Sequence, residues 1–195
     1  PMKRIIFLVF ITFFLLVPSF GQDETDSLVF TQFFYGNKQV SSEGYLRNGQ
    51  PDGKWTSYYA DGTIKSVGKR TNYQLDSLWQ FFNQQGLLTE EINFLNGKKS
   101  GYSLKYQSIV SSDSVYRALR SKELFLKDKR EQLGSYFNDQ GQLDRIVRYK
   151  NGKRHGLMRI FNKDSVIQSV YKYHNDFMID REFIRRYLGS KIYGR

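Results

Sequence analysis

The 195-residue chain contains no cysteine. Disulfides, thiol nucleophiles, cysteine-ligated metals and lipidation at a lipoprotein cysteine are therefore excluded. Histidine occurs twice and proline three times. Hydrolytic chemistry needs a nucleophile, a base and an orienting group in one pocket, and His155 and His174 are the only imidazoles available. A phosphate-cradling loop is absent: "GQPDGK" and "NGKRHG" lack the G-x-x-x-x-G-K pattern followed by Ser or Thr. Glu90, Glu91, Asp139 and Asp144 could be paired as glycosidase carboxylates, but nothing in their spacing singles them out. These absences lead us to expect no enzyme, no catalytic residue and no cofactor.

What is present is aromatic and basic. Sixteen Phe and 14 Tyr accompany 16 Gly, and 39% of residues are hydrophobic. Aromatic richness with regular glycine favours strands and tight turns. The formal charge is +11. Without Lys3 and Arg4 it is +9, from 28 basic and 19 acidic residues. Such a surface attracts anions of many kinds without choosing among them.

The first 21 residues have a character of their own. Lys3 and Arg4 precede an apolar run, Ile5 to Val17, broken only by Thr12. Small residues follow at Ser19 and Gly21. This three-part pattern predicts a signal-peptide helix over 1–21, cleaved before Gln22. The run is short of the roughly 20 apolar residues that span a bilayer. We expect an exported bacterial protein, periplasmic, surface-bound or secreted, with no membrane span after cleavage. A flexible segment, 22–33, then leads into a repeat domain, 34–195.

The repeat shows in the spacing. Trp55 and Trp79 are 24 residues apart, as are Gly62 and Gly86. Asn48, Asn72 and Asn96 keep that step, and so do Lys127, Asn151 and Asn175. Units thus begin near 48, 72, 96, 127, 151 and 175, with an insertion near 108–114 as a longer hairpin tip. Asn-Gly at Asn48-Gly49, Asn96-Gly97 and Asn151-Gly152 is a hairpin signal, because both residues tolerate positive φ. Further residues follow up to Gly53, Gly101 and Gly156, so the spacing predicts a loop longer than two residues. A second turn falls at Gly62, Gly86 and Gly141, and Gly189 keeps its register in the degenerate last unit. Between the turns, Tyr58, Phe82, Tyr106, Phe137 and Phe161 form an aromatic column expected in the core. Ile64, Leu88, Leu143 and Ile167 form a second stripe, and Ile92 and Val147 belong to a third. The fold class expected is all-β: an elongated antiparallel array of stacked hairpins, about twelve strands in all.

The phrasing is clearest in "NGQPDGKWTSYYADGTI" from Asn48 and "NGKRHGLMRIFNKDSVI" from Asn151. It resembles the MORN-variant repeat of bacterial proteins labelled YwqK-like antitoxin components. The likeness covers roughly residues 34–192. It implies a β-hairpin array used for binding or scaffolding, with no shared catalytic residues. The antitoxin label implies a toxin as partner.

Basic residues recur at the first turn: Lys54, Lys98, Lys99, Lys129, Arg130, Lys153 and Arg154. Repetition predicts a basic rim along the sheet, with Trp55 and Trp79 exposed nearby. Such a rim suits an anionic envelope lipid or glycan. It also suits nucleic acid, which export disfavours. His155 and His174 occupy loop-edge positions in successive units. With Asp176 or Asp180 they would offer zinc a weak site. The reading adopted is two exposed loop histidines and no metal. The leading expectation is a non-enzymatic binding or scaffold protein with an unidentified protein partner. The rim binder and a toxin-neutralising immunity partner are the alternatives.

Overall fold

The computed structural model describes residues 27–110 and 115–179. They form one open antiparallel sheet, with no helix among the described residues. The strands are β1 (Val29–Phe34), β2 (Val40–Arg47), β3 (Gln50–Tyr58), β4 (Ile64–Thr71), β5 (Gln74–Phe82) and β6 (Leu88–Leu95). The longest, β7 (Lys98–Val110) and β8 (Val115–Leu126), come next. Then follow β9 (Lys129–Phe137), β10 (Leu143–Lys150), β11 (Lys153–Phe161), β12 (Ile167–His174) and β13 (Phe177–Met178). Every strand pairs with its sequence neighbour, so the 13 strands lie in chain order. The expected signal peptide, most of the expected last unit including Gly189, and residues 111–114 of the expected hairpin tip lie outside the described residues.

The Asn turns are tighter than their sequence suggests. Arg47 pairs with Gln50, Leu95 with Lys98 and Lys150 with Lys153, so only two residues form each loop. Both turn residues have positive φ, 50° and 75° at Asn48 and Gly49, the signature of a type I′ turn. The extra residues form a bulge in the return strand instead. Its left-handed residue is Gly53, Ser77, Gly101, Gln132 or Gly156, with φ from 59° to 109°. The expected long loop is therefore a short turn followed by a bulge.

The other turns are a different device. Tyr59 O accepts the amide of Gly62, and Tyr59 N donates to Thr63 O. This is a type I turn closed by a left-handed residue. Asn83, Asn138 and Asn162 repeat it and add their own Oδ1, which accepts the amides of Leu87, Gln142 and Val166.

Successive hairpins also clasp one another. The amides of Gly97, Asp128, Gly152 and Asp176 donate to the carbonyls of Leu75, Lys99, Arg130 and Arg154. On the opposite rim Tyr35 Oη donates to Tyr58 O, and Tyr59 Oη to Phe82 O. Each unit thus satisfies backbone groups of the next, as in a one-dimensional array.

With a single layer, burial has to come from side chains lying against their neighbours on the same face. Directly opposed residues share a face. One row crosses the middle of the sheet from Gly44 through Trp55, Gly68, Trp79, Ile92, Ser103 and Glu123 to Gly134 and Val147. Trp55, Trp79, Ile92 and Val147 in this row are buried; among the described residues the remaining buried hydrophobic side chain, Val170, lies on the other face. Trp55 and Trp79 are thus core and not the exposed aromatics expected. Each indole covers a glycine of the preceding strand, Gly44 or Gly68. The column of Tyr58, Phe82, Tyr106, Phe137 and Phe161 is only half-buried. It runs beside the type I turns, at strand ends that have fewer neighbours. Of the aliphatic stripe, Ile64 is exposed, and Leu88, Leu143 and Ile167 are half-buried.

Candidate functional site

The basic residues sort into two groups. Lys98, Lys129 and Lys153 open β7, β9 and β11, each one step past a hairpin turn. All three are exposed, and none forms an ion pair among the described residues. Alternate strands are about 10 Å apart at ~4.8 Å per strand, which sets the pitch of this lysine row. Lys54 does not join it, because it lies mid-strand opposite Lys69.

Lys99, Arg130 and Arg154 are engaged within the sheet. Lys99 Nζ lies 5.3 Å from the centre of the Phe125 ring. The Arg154 guanidinium stands 4.4 Å from the Tyr173 ring and pairs with Asp176 at 3.0 Å. Asp176 Oδ1 also accepts the amide of Arg154, and these bonds hold its carboxyl below the usual range. They hold the Arg154 guanidinium above its ordinary value in turn.

Arg130 belongs to a cluster that spacing did not reveal. Glu123 stands in the buried row, where neighbouring units place Ile92 or Val147, and is 4% exposed. Its carboxylate accepts from Arg130 Nε and, at 2.6 Å, from Tyr136 Oη. Tyr136 and Tyr149 hydroxyls meet at 2.7 Å. Burial, then the Glu123 bond, pushes the Tyr136 phenol far above its ordinary value. Burial disfavours the Arg130 charge, yet Glu123 outweighs it and holds the guanidinium protonated. Gly134 leaves room for the cluster, since a Cβ there would stand 3.1 Å from Tyr149 and 3.2 Å from Tyr136 Oη. In this cluster the buried acid is matched by a guanidinium and a phenol, and the second phenol meets the first.

On the opposite face, Glu43 accepts from Gln32 and Tyr58 at 2.8 and 2.6 Å. Two units on, Glu91 accepts from Gln80 at 2.9 Å and from Tyr106. The triad returns after 48 residues.

The depressions in the surface are open. One of about 360 Å³ is lined by Arg120, Tyr136, Asp139, Asp144 and Arg145. Arg120 pairs with Asp139 and Arg145 with Asp144 at its rim. Among the four carboxylates considered from sequence, Glu90 lies near Lys105 at 3.5 Å and Glu91 belongs to the triad above.

The fold brings His155 and His174 together, with ring centres 4.8 Å apart. Asp176 is taken by Arg154, and Asp180 lies outside the described residues. No group of three or more His, Asp or Glu suited to a metal occurs among the described residues.

No protein-family model matches the chain, and no curated protein matches it.

Proposed function

We propose that this chain is an exported, non-enzymatic scaffold of stacked β-hairpins that binds a partner protein along its sheet. The observation that carries the reading is β1. Its six residues, VFTQFF, bear no charge. Val29, Phe30, Phe33 and Phe34 are exposed, and among the described residues β1 pairs with β2 alone. Sheet edges are ordinarily guarded by charge, proline or a very short strand. An unguarded aromatic edge favours addition of an extended strand from another protein, with main-chain bonds for affinity and aromatic contacts for specificity. Export rests on the pattern of residues 1–21. The 24-residue unit is read as one hairpin step of a MORN-variant array, and a toxin is one class of partner within the same reading.

The test is a pull-down from envelope extract with the mature chain beside a Phe30→Lys, Phe34→Lys variant. A protein held by the wild type and released by the variant supports the reading. Turnover on a substrate panel with no partner recovered overturns it.

A second reading is favoured by Lys98, Lys129 and Lys153, which repeat at about 10 Å along one rim. That row suits an anionic polymer or a layer of lipid headgroups in the envelope. Binding of this kind is salt-sensitive and weakens in Lys129→Glu, Lys153→Glu.

A further inference from the structure

The chain has only two histidines, and they are cross-strand neighbours. Gly156 of β11 pairs with Tyr173 of β12, so His155 and His174 face each other one step nearer the hairpin ends. Their rings stand 4.8 Å apart at 51° to each other. His174 is exposed and His155 half-buried, so one side of the pair is open to solvent. Nδ1 of His155 lies 3.4 Å from Oδ1 of Asn175, in the turn that follows β12.

We propose that His155 and His174 form a transition-metal site, with Asn175 Oδ1 as an auxiliary oxygen ligand and water completing the shell. Geometry supports it. A metal–nitrogen bond of ~2.0–2.1 Å, plus roughly 1.2 Å from nitrogen to ring centre, places two imidazoles on one ion with centres roughly 4.5–5.3 Å apart. The observed separation of 4.8 Å falls within that range. Strand pairing already brings the two backbones together, so no chain rearrangement is needed on binding.

The surroundings decide which metal. Arg148 and Lys150 line the depression beside His155, with Glu131 as its carboxylate. Glu131 Oε1 accepts the amide of Asn151, and Asp176 is held by Arg154. Lys153 adds a further positive charge two residues before His155. A setting in which cations outnumber the carboxylates opposes Ca²⁺ and Mg²⁺, which rely on charged oxygen ligands. It leaves ions whose affinity comes from nitrogen donors. Among divalent ions of this kind Cu²⁺ binds most tightly, ahead of Ni²⁺ and Zn²⁺. A bound ion would clip β11 to β12, next to the short strand β13.

The experiment is titration of the untagged full chain with Cu²⁺ alone, and separately with Zn²⁺ and Mg²⁺, at pH 7.5. One Cu²⁺ per chain is expected, with an electron spin-echo spectrum showing two imidazoles. His155→Ala and His174→Ala should each weaken binding at least tenfold, with unchanged circular dichroism as the fold control. Mg²⁺ should not bind. The proposal is overturned if the double variant His155→Ala, His174→Ala takes up Cu²⁺ as tightly as the wild type. A spectrum with fewer than two imidazoles overturns it as well.

Discussion

Gly68 lies directly beneath the indole of Trp79: a Cβ on Gly68 would stand 2.2 Å from the ring. The ring has nowhere to go, because Trp79 is 3% exposed and its Nε1 donates to Lys69 O at 2.9 Å. Gly44 and Trp55 repeat the relationship one unit earlier, at 2.4 Å. Gly68→Ala should therefore destabilise the sheet by about 1–3 kcal/mol, the cost of overpacking a filled site. Gly36→Ala is the control, since nothing lies within 4 Å of its Cβ position. Urea midpoints of the two variants check the contrast, and equal midpoints would remove the Gly–Trp couple from the core.

Tyr73 is the second residue of a type I′ turn and sits at φ 68°. Other units place Gly49, Gly97 or Gly152 there. The left-handed region costs a side-chain-bearing residue ~1–2 kcal/mol. Part of that gain is offset by the entropy glycine loses on folding. Tyr73→Gly should stabilise by about 0.5–1 kcal/mol and raise the melting temperature by roughly 2–4 °C per kcal/mol. Differential scanning calorimetry reads the sign directly.

The Gln–Glu–Tyr triads make stability depend on pH at both ends. Hydrogen bonds from Tyr58 and then Gln32 lower the Glu43 carboxyl below its ordinary 4.5. Tyr106 and then Gln80 do the same for Glu91. Carboxyls lowered by folding stabilise above their unfolded value, and that contribution is lost as pH falls below about 4.5. Tyr58 is pushed up to about 12, first by its bond to Glu43, and Tyr106 to about 12, first by burial. Phenols raised by folding stabilise fully below pH ~10, and the contribution is lost as pH climbs from there towards 12. The double variant Tyr58→Phe, Tyr106→Phe should show shallower declines on both limbs in melting temperatures measured from pH 3 to 12. Unchanged limbs would mean that the triads are not coupled to folding.

Glu123 tests whether the buried cluster is structural. Glu123→Ala leaves Arg130 and the Tyr136 hydroxyl without their acceptor. Breaking a fully buried pair costs ~3–5 kcal/mol, and an exposed one less than ~1. Glu123 is buried but Arg130 is 44% exposed, so the loss should be about 2 kcal/mol. Glu123→Gln retains an acceptor and should recover part of it. Chemical denaturation of both variants decides, and a neutral Glu123→Ala would refute the account.

Much of the architecture was legible because hairpin turns are local. The positive φ at Asn48, Gly49, Asn151 and Gly152 follows from residue types that bear it cheaply. The regular return of such turns predicts an antiparallel sheet in chain order, with a longer hairpin near 108–114. Loop length was misread because a bulge and a longer loop add the same residues to the chain. Only the pairing of Arg47 with Gln50 tells them apart.

What the sequence by itself determined is the all-β character, the antiparallel order and the place of most turns. These depend on backbone preferences carried by single residues and their neighbours. Tertiary structure decided which residues are core and which charges remain free. Trp55 and Trp79 are buried because Gly44 and Gly68 pass beneath them on adjacent strands. Arg130 and Arg154 leave the basic rim because Glu123 and Asp176 reach them across strands, whereas Lys98, Lys129 and Lys153 stay exposed. Register also set His155 against His174. Burial, ion pairing and juxtaposition are properties of opposed residues, and opposition exists only once the strands have paired.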